Sequence, residues 1–222
     1  MHLMKGSSQR ACAEILGCSK NTVERKFYWL VRYKDFDPSK IAGKVIQIDE
    51  MESIEHTKLK PLTIPLCVSA RFEIVGITVG KIPAKGHLSE ISLKKYGPRP
   101  NERELALKKL FEEIKAKLAT EPKTIITDGS PLYGKYIKEF FPNAEHRVIL
   151  SRAHKEKRRE FIFLKQNKGI YDEMFALNQR CAKLRSDIKR LTRRSWCTTK
   201  RVENLYSHLK LYQGFNNQIL KH

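Results

Sequence analysis

Apolar and polar positions along this chain follow two periods in turn. Near the N-terminus the spacing is helical. Ala11, Ala13, Ile15 and Leu16 precede a break at Gly17-Cys18-Ser19, and Val23, Phe27 and Leu30 follow it. Ser8 stands ready to cap the first helix, and Ser19 or Asn21 the second. The polar stretch 37–43, with Pro and Gly, reads as a linker. Three runs of strand character come next, over 44–53, 62–70 and 72–82, spaced closely enough for an antiparallel meander. Residues 83–100 carry Gly, Pro and Lys and are expected as a basic loop. Leu105, Leu107, Leu110, Phe111, Ile114 and Leu118 then return to helical spacing over 101–119.

The second half alternates. "KTIIT" (123–127) predicts a strand, "DGSP" a turn, "LYGKYIKEFF" a helix and "EHRVILS" (145–151) a fifth strand. Residues 153–197 read as long, basic and helical, and a last helix over 199–212 carries Val202, Leu205, Tyr206 and Leu209 as its apolar stripe. Strands first, then alternating helices and strands, predict a mixed α/β fold with helices on both faces of a mixed sheet. The expected division is a helical unit over 1–36, a linker over 37–43 and a catalytic domain over 44–222. A basic helical insertion occupies about 152–197 of that domain.

Composition changes the picture chiefly through charge. The 222 residues include 44 Lys and Arg against 24 Asp and Glu, a net +20. Such a surplus favours a polyanionic partner, because each neutralised phosphate releases counterions. No apolar run approaches the roughly 18 residues of a membrane span, and no signal-peptide core is visible, so a cytoplasmic protein is expected. Five cysteines without a CxxC pair argue against a zinc ribbon or a disulfide framework. Two helices joined by a short Gly-containing turn fit a helix-turn-helix, whose second helix presents Lys20, Asn21, Thr22, Arg25 and Lys26 to DNA.

The candidate chemistry lies in carboxylates. In "VIQIDEMESIEHTK" (45–58) an apolar strand runs into Asp49, Glu50 and Glu52, and a buried carboxylate is costly unless a positive group meets it. Successive residues of a strand face opposite ways, so either Asp49 or Glu50 can be the one that matters. Asp49 is preferred because the apolar run ends at Ile48. Asp128 closes the strand "TIIT" ahead of a helix start, a position where sites form. Glu203 lies early in the last helix, and Lys210, two turns on, shares its face. Three such acids suit a two-metal site for phosphoryl transfer, since Mg²⁺ seeks hard oxygen ligands.

On these motifs the chain resembles bacterial insertion-sequence transposases of the DDE type. The likeness is carried by "IDEMESIEHTKLKPLTIPLCVSARFEIVGITVGKIPAKGHLSEISLKKYGPRPNER", "TDGSPLY" and "WCTTKRVENLYSHLKLYQGFNN", with the helix-turn-helix ahead of them. The resemblance implies an RNase H-like core in which Asp49, Asp128 and Glu203 bind two Mg²⁺ or Mn²⁺ ions. Lys210 would touch the element end. The implied reaction is hydrolysis at each element end followed by strand transfer into target DNA, with DNA and a second copy of the chain as partners. It also implies a bacterial, nucleoid-associated location. Many such transposases begin with a cysteine-rich zinc module, which is missing ahead of this helix-turn-helix. A shortened, catalytically inactive remnant that only binds DNA is therefore the alternative expectation.

Overall fold

The computed structural model describes residues 2–33, 40–149, 172–192 and 197–220. A 3₁₀ turn at His2–Lys5 leads into α1 (Gln9–Ile15) and α2 (Lys20–Tyr33). The Ala11 amide donates to Ser8 Oγ at 3.1 Å and the Thr22 amide to Ser19 Oγ at 3.1 Å, so both helices begin where a serine side chain takes an orphan N–H. Gly17 makes the turn between them at φ 59°, a conformation open to glycine at little cost. Cys12, Ala13 and Val23 form a small core of their own. Ile15 and Leu16, expected on the apolar stripe, are 58% and 61% exposed. The seven-residue helix buries one side, and Cys12 and Ala13 occupy it.

The strands are longer than their apolar pattern suggests. β1 (Val45–Glu55) and β2 (Thr57–Ser69) form one antiparallel hairpin that reverses at His56, φ 62°. The run expected over 72–82 divides into β3 (Ile74–Ile77) and β4 (Gly80–Lys81), each paired with β2. Residues 83–100, expected as a loop, contain α3 (Leu88–Tyr96). Gly86 and Gly97 bound it at φ 59° and 73°. The punctuating glycines thus frame a helix instead of abolishing one. α4 (Arg103–Lys117), β5 (Thr124–Thr127), α5 (Pro131–Phe140) and β6 (Glu145–Val148) follow. α6 (Phe175–Asp187), a 3₁₀ turn at Lys189–Leu191 and α7 (Val202–Ile219) complete the described chain.

The main sheet runs β3-β2-β1-β5-β6, with β4 on β2. β2 runs antiparallel to both β1 and β3, whereas β1, β5 and β6 are parallel. This is the expected mixed α/β class, a mixed sheet covered by helices on both faces. Alternation along β1 sorts its side chains. Ile46 and Ile48 enter the core formed with Leu107, Leu110 and Phe111 of α4 and Tyr133 of α5. Met51 enters the opposite core with Leu177 and Leu184 of α6 and Leu205 and Leu209 of α7.

Residues 37–39 of the expected linker lie outside the described residues. Its remainder is docked, because Ile41 exchanges backbone hydrogen bonds with Lys117 and Ala119 at 2.9 and 3.0 Å. Of the basic insertion, 152–171 and 193–196 also lie outside the described residues. No described helix is long and apolar enough to cross a membrane.

One close approach fixes how α4 meets the sheet. A Cβ at Gly80 would stand 2.9 Å from the Glu102 carbonyl oxygen and 3.0 Å from Ala106 Cβ. Backbone and a methyl stub cannot swing away, so Gly80→Ala is expected to cost about 1–3 kcal/mol in chemical denaturation. A variant as stable as the parent would show that this contact has slack.

Candidate functional site

Asp49 lies inside β1, six residues before the strand ends, so the chain does not surface at the acids. Its side chain faces α6. On the same face Gln47 donates through Nε2 to the Glu173 carbonyl at 2.7 Å and accepts at Oε1 from the Leu177 amide at 2.8 Å. Four helical residues rise about 6 Å and two strand residues about 6.6 Å, so helix and strand keep step. Leu177 lies at Gln47, and the next turns bring Cys181 and Arg185 into the electrostatic reach of Asp49. Burial pushes the Cys181 thiol up to about 12, with the Asp49 charge adding to it.

The second acid is set by register. Ile48 is the partner of Thr127 in the last pair of the parallel β1–β5 ladder. The next residues on each strand are Asp49 and Asp128, on strands about 4.8 Å apart. Burial pushes the Asp49 carboxyl up to about 6, the Asp128 and Glu50 charges push the same way, and the Glu50 amide and Arg185 oppose them. Asp49 Oδ1 accepts from the Glu50 amide at 2.6 Å, and Asp128 Oδ1 from the Ser130 amide at 3.0 Å. Ser130 occupies the N-cap position of α5 without a side-chain capping bond, and Pro131 opens the helix. The Asp128 carboxylate closes that turn instead.

Glu50, the alternative to Asp49, is committed elsewhere. It faces α4 and α5, where Arg103 bridges it at 2.8 Å and Thr63 Oγ1 donates to it at 2.6 Å. The Tyr133 hydroxyl donates to Glu50 at 3.4 Å. Burial and then Glu50, Asp49 and Asp128 drive that phenol far above its ordinary value. Arg103 also donates to Ser130 Oγ at 3.3 Å, tying the buried carboxylate to the turn that carries Asp128. The role of Arg103 had no sequence signal. It is one basic residue in the first turn of an amphipathic helix, 53 residues from its partner.

Glu203 stands apart from this pair. It is exposed in the first turn of α7. Thr199, just before that turn, bridges to Glu55 at the far end of β1, about 20 Å along the strand from Asp49. Among the described residues no three His, Cys, Asp or Glu side chains group as metal ligands. Lys210 is half-buried and ion-paired with Glu113 of α4. Gln213, on the next turn, donates to the Ile74 and Val75 carbonyls at 3.1 and 3.0 Å, which fastens this part of α7 to β3. On α2, Lys20, Asn21, Arg25 and Lys26 are exposed and Thr22 is half-buried. Lys20 pairs with Glu24 at 3.9 Å, and Lys26 stands 5.5 Å from the Trp29 ring centroid.

What the fold and site define is a mixed α/β protein with two acids side by side where its parallel strands meet. No protein-family model matches the chain, and no curated protein matches it. Among solved structures it is similar to the HTLV-2 integrase catalytic core domain in complex with magnesium. That match has 12% identity and a TM-score of 0.28, covering 76% of this chain and 98% of the other. It is also similar to the simian T-cell lymphotropic virus intasome in complex with the PP2A regulatory subunit B56 gamma. Here the identity is 11% and the TM-score 0.29, over 90% of this chain and 74% of the other.

Proposed function

We propose that the chain is a divalent-metal-dependent phosphoryl-transfer enzyme acting on DNA, of the DDE transposase kind its motifs resemble. The observation that carries this reading is the Asp49–Asp128 pair. Two carboxylates on adjacent strands are held together with one of them driven towards its neutral form, and a bound cation relieves that repulsion. The donor set suits Mg²⁺ or Mn²⁺, which takes one or two carboxylates and completes its shell with water and substrate phosphate. When bound, such ions activate the attacking oxygen and stabilise the leaving one.

The roles of the chain's own residues follow. Asp49 and Asp128 hold the cation at the strand edge. The Ser130 amide orients Asp128, and the Glu50–Arg103 pair braces the turn from behind. Lys20, Asn21, Thr22, Arg25 and Lys26 are proposed to hold DNA on α2, with a second copy of the chain supplying the other end. Glu203 enters as third acid, and Lys210 as an end contact, through the motif resemblance alone. Lys210 would have to leave Glu113 to reach DNA.

The separation of Glu203 from the acid pair favours a second reading, a DNA-binding remnant without catalysis. Nicking of supercoiled plasmid with Mn²⁺ separates the two. The enzyme reading expects nicking that EDTA abolishes and that falls at least about 100-fold in Asp128→Asn. An equal loss in Glu203→Gln would put that acid in the working site, and full activity would remove it. A parent that binds plasmid and never nicks it would leave the remnant reading.

A further inference from the structure

A groove of about 450 Å³ lies between the N-terminal helices and the start of α7. Among the described residues six cations line it, Arg10, Lys20, Lys189, Arg190, Lys200 and Arg201, and no acidic side chain does. They come from α1, α2, the 3₁₀ turn and the segment entering α7, so the tertiary fold gathers charges that the sequence scatters from Arg10 to Arg201.

Two groups on its wall stand out. Arg190 is half-buried, and among the described residues no acid pairs with it. Burial lowers its guanidinium from the ordinary value. A desolvated guanidinium costs free energy until an anion meets it, and its planar fork matches phosphate oxygens. His208, 6% exposed, donates through Nε2 to the Leu3 carbonyl at 3.1 Å, while its buried Nδ1 has no partner among the described residues. With Nε2 donating, Nδ1 is left as an acceptor, which water can meet and a phosphate oxygen cannot, so the anion falls to the cations alone. The wall itself is braced by Tyr28, whose hydroxyl donates to Asn204 at 3.1 Å, and by Phe27, edge-on to His208 with ring centroids 5.9 Å apart.

We propose that this groove is a second DNA site, which takes the phosphodiester backbone of the strand leaving α2. The proposal rests on the DNA reading above. Lys20 joins the two surfaces, because it is the first residue of α2 and also lines the groove. Arg190 grips a phosphate through its fork, and Lys200 and Arg201 neutralise the phosphates beside it. DNA is thereby held against the catalytic domain as well as the helix pair, and the groove fixes the angle at which it leaves α2.

The test is fluorescence anisotropy of a labelled duplex oligonucleotide titrated with the full chain from 0.05 to 0.3 M salt. Lys200→Gln/Arg201→Gln changes two exposed residues and is expected to keep the parental melting temperature. Its affinity near 0.1 M salt should fall at least about ten-fold, and its log–log salt slope should flatten by about two. Arg190→Lys keeps the charge and loses the fork, so it should weaken binding with little change of slope. A parent that binds duplex with the double variant unchanged in affinity and slope overturns the groove site alone. A parent that binds no duplex at any salt overturns it together with the DNA reading.

Discussion

Asp49→Asn is expected to make the metal-free chain more stable at neutral pH while removing its response to Mn²⁺. The folded-state pKa of Asp49 is about 6, raised from 3.8 by burial and by Asp128. Between those two values the native chain holds a proton that the unfolded chain has lost. Stability therefore falls as pH rises through this window, and the full penalty is present above about pH 6. Asparagine keeps the Oδ1 that accepts from the Glu50 amide and carries no charge to desolvate. The gain at pH 7.5 in EDTA is expected to be about 1–3 kcal/mol, shrinking towards zero near pH 4. Mn²⁺ should raise the melting temperature of the parent and leave the variant where it was. Parental affinity for the ion should rise with pH up to about 6, because binding displaces a proton. A variant less stable than the parent at pH 7.5, or one still stabilised by Mn²⁺, would overturn the assignment of Asp49 as a strained ligand.

Arg103→Met should have the largest destabilising effect. The Glu50 side chain is 10% exposed and loses its cation, keeping only Thr63 and a long bond from Tyr133. Stranding a buried carboxylate costs about 3–5 kcal/mol, and the partial exposure of Arg103 places this case near the lower end. Glu50→Gln added to Arg103→Met should recover most of the loss, since the charge is then gone as well. Arg103 also grips Ser130, so the single variant should bind Mn²⁺ more weakly even at temperatures where it stays folded. Denaturant titration of the two variants checks the account. A single variant within about 1 kcal/mol of the parent would show that water satisfies Glu50 and that the pair braces nothing.

Much of the fold was legible because its elements are locally encoded. Ser8 and Ser19 announced the two N-terminal helices, and Ile46, Ile48 and "TIIT" marked the parallel strands. Two stretches depart from the apolar pattern, each for its own reason. Residues 83–100 read as a loop because Gly86 and Gly97 outweigh the intervening Leu88–Tyr96, where no strong apolar stripe faces a core. The hairpin outran its apolar pattern because its outer half is held by the backbone ladder and by the shielded ion pair of Glu55 with Arg99. Hydrophobic periodicity is silent about such pairs.

The sequence by itself determined the class of fold, the order of most elements, the basic character and the two acids worth examining. A strand-end Asp beside a turn and an Asp after an apolar run are local statements, and local chemistry decides them. Only the tertiary structure gave Asp49 and Glu50 different surroundings. One residue of pleat turns Asp49 to Asp128 beneath α6 and Glu50 to Arg103 beneath α4. Tertiary packing also set Glu203 apart and bound Lys210 to Glu113, although helical spacing places the two on one face. The basic groove is of the same kind, since its cations meet only once α1, α2 and α7 are packed. Coulomb energies and desolvation depend on distances through space, and those are fixed by the register of β1 on β5 and the seating of helices on the sheet.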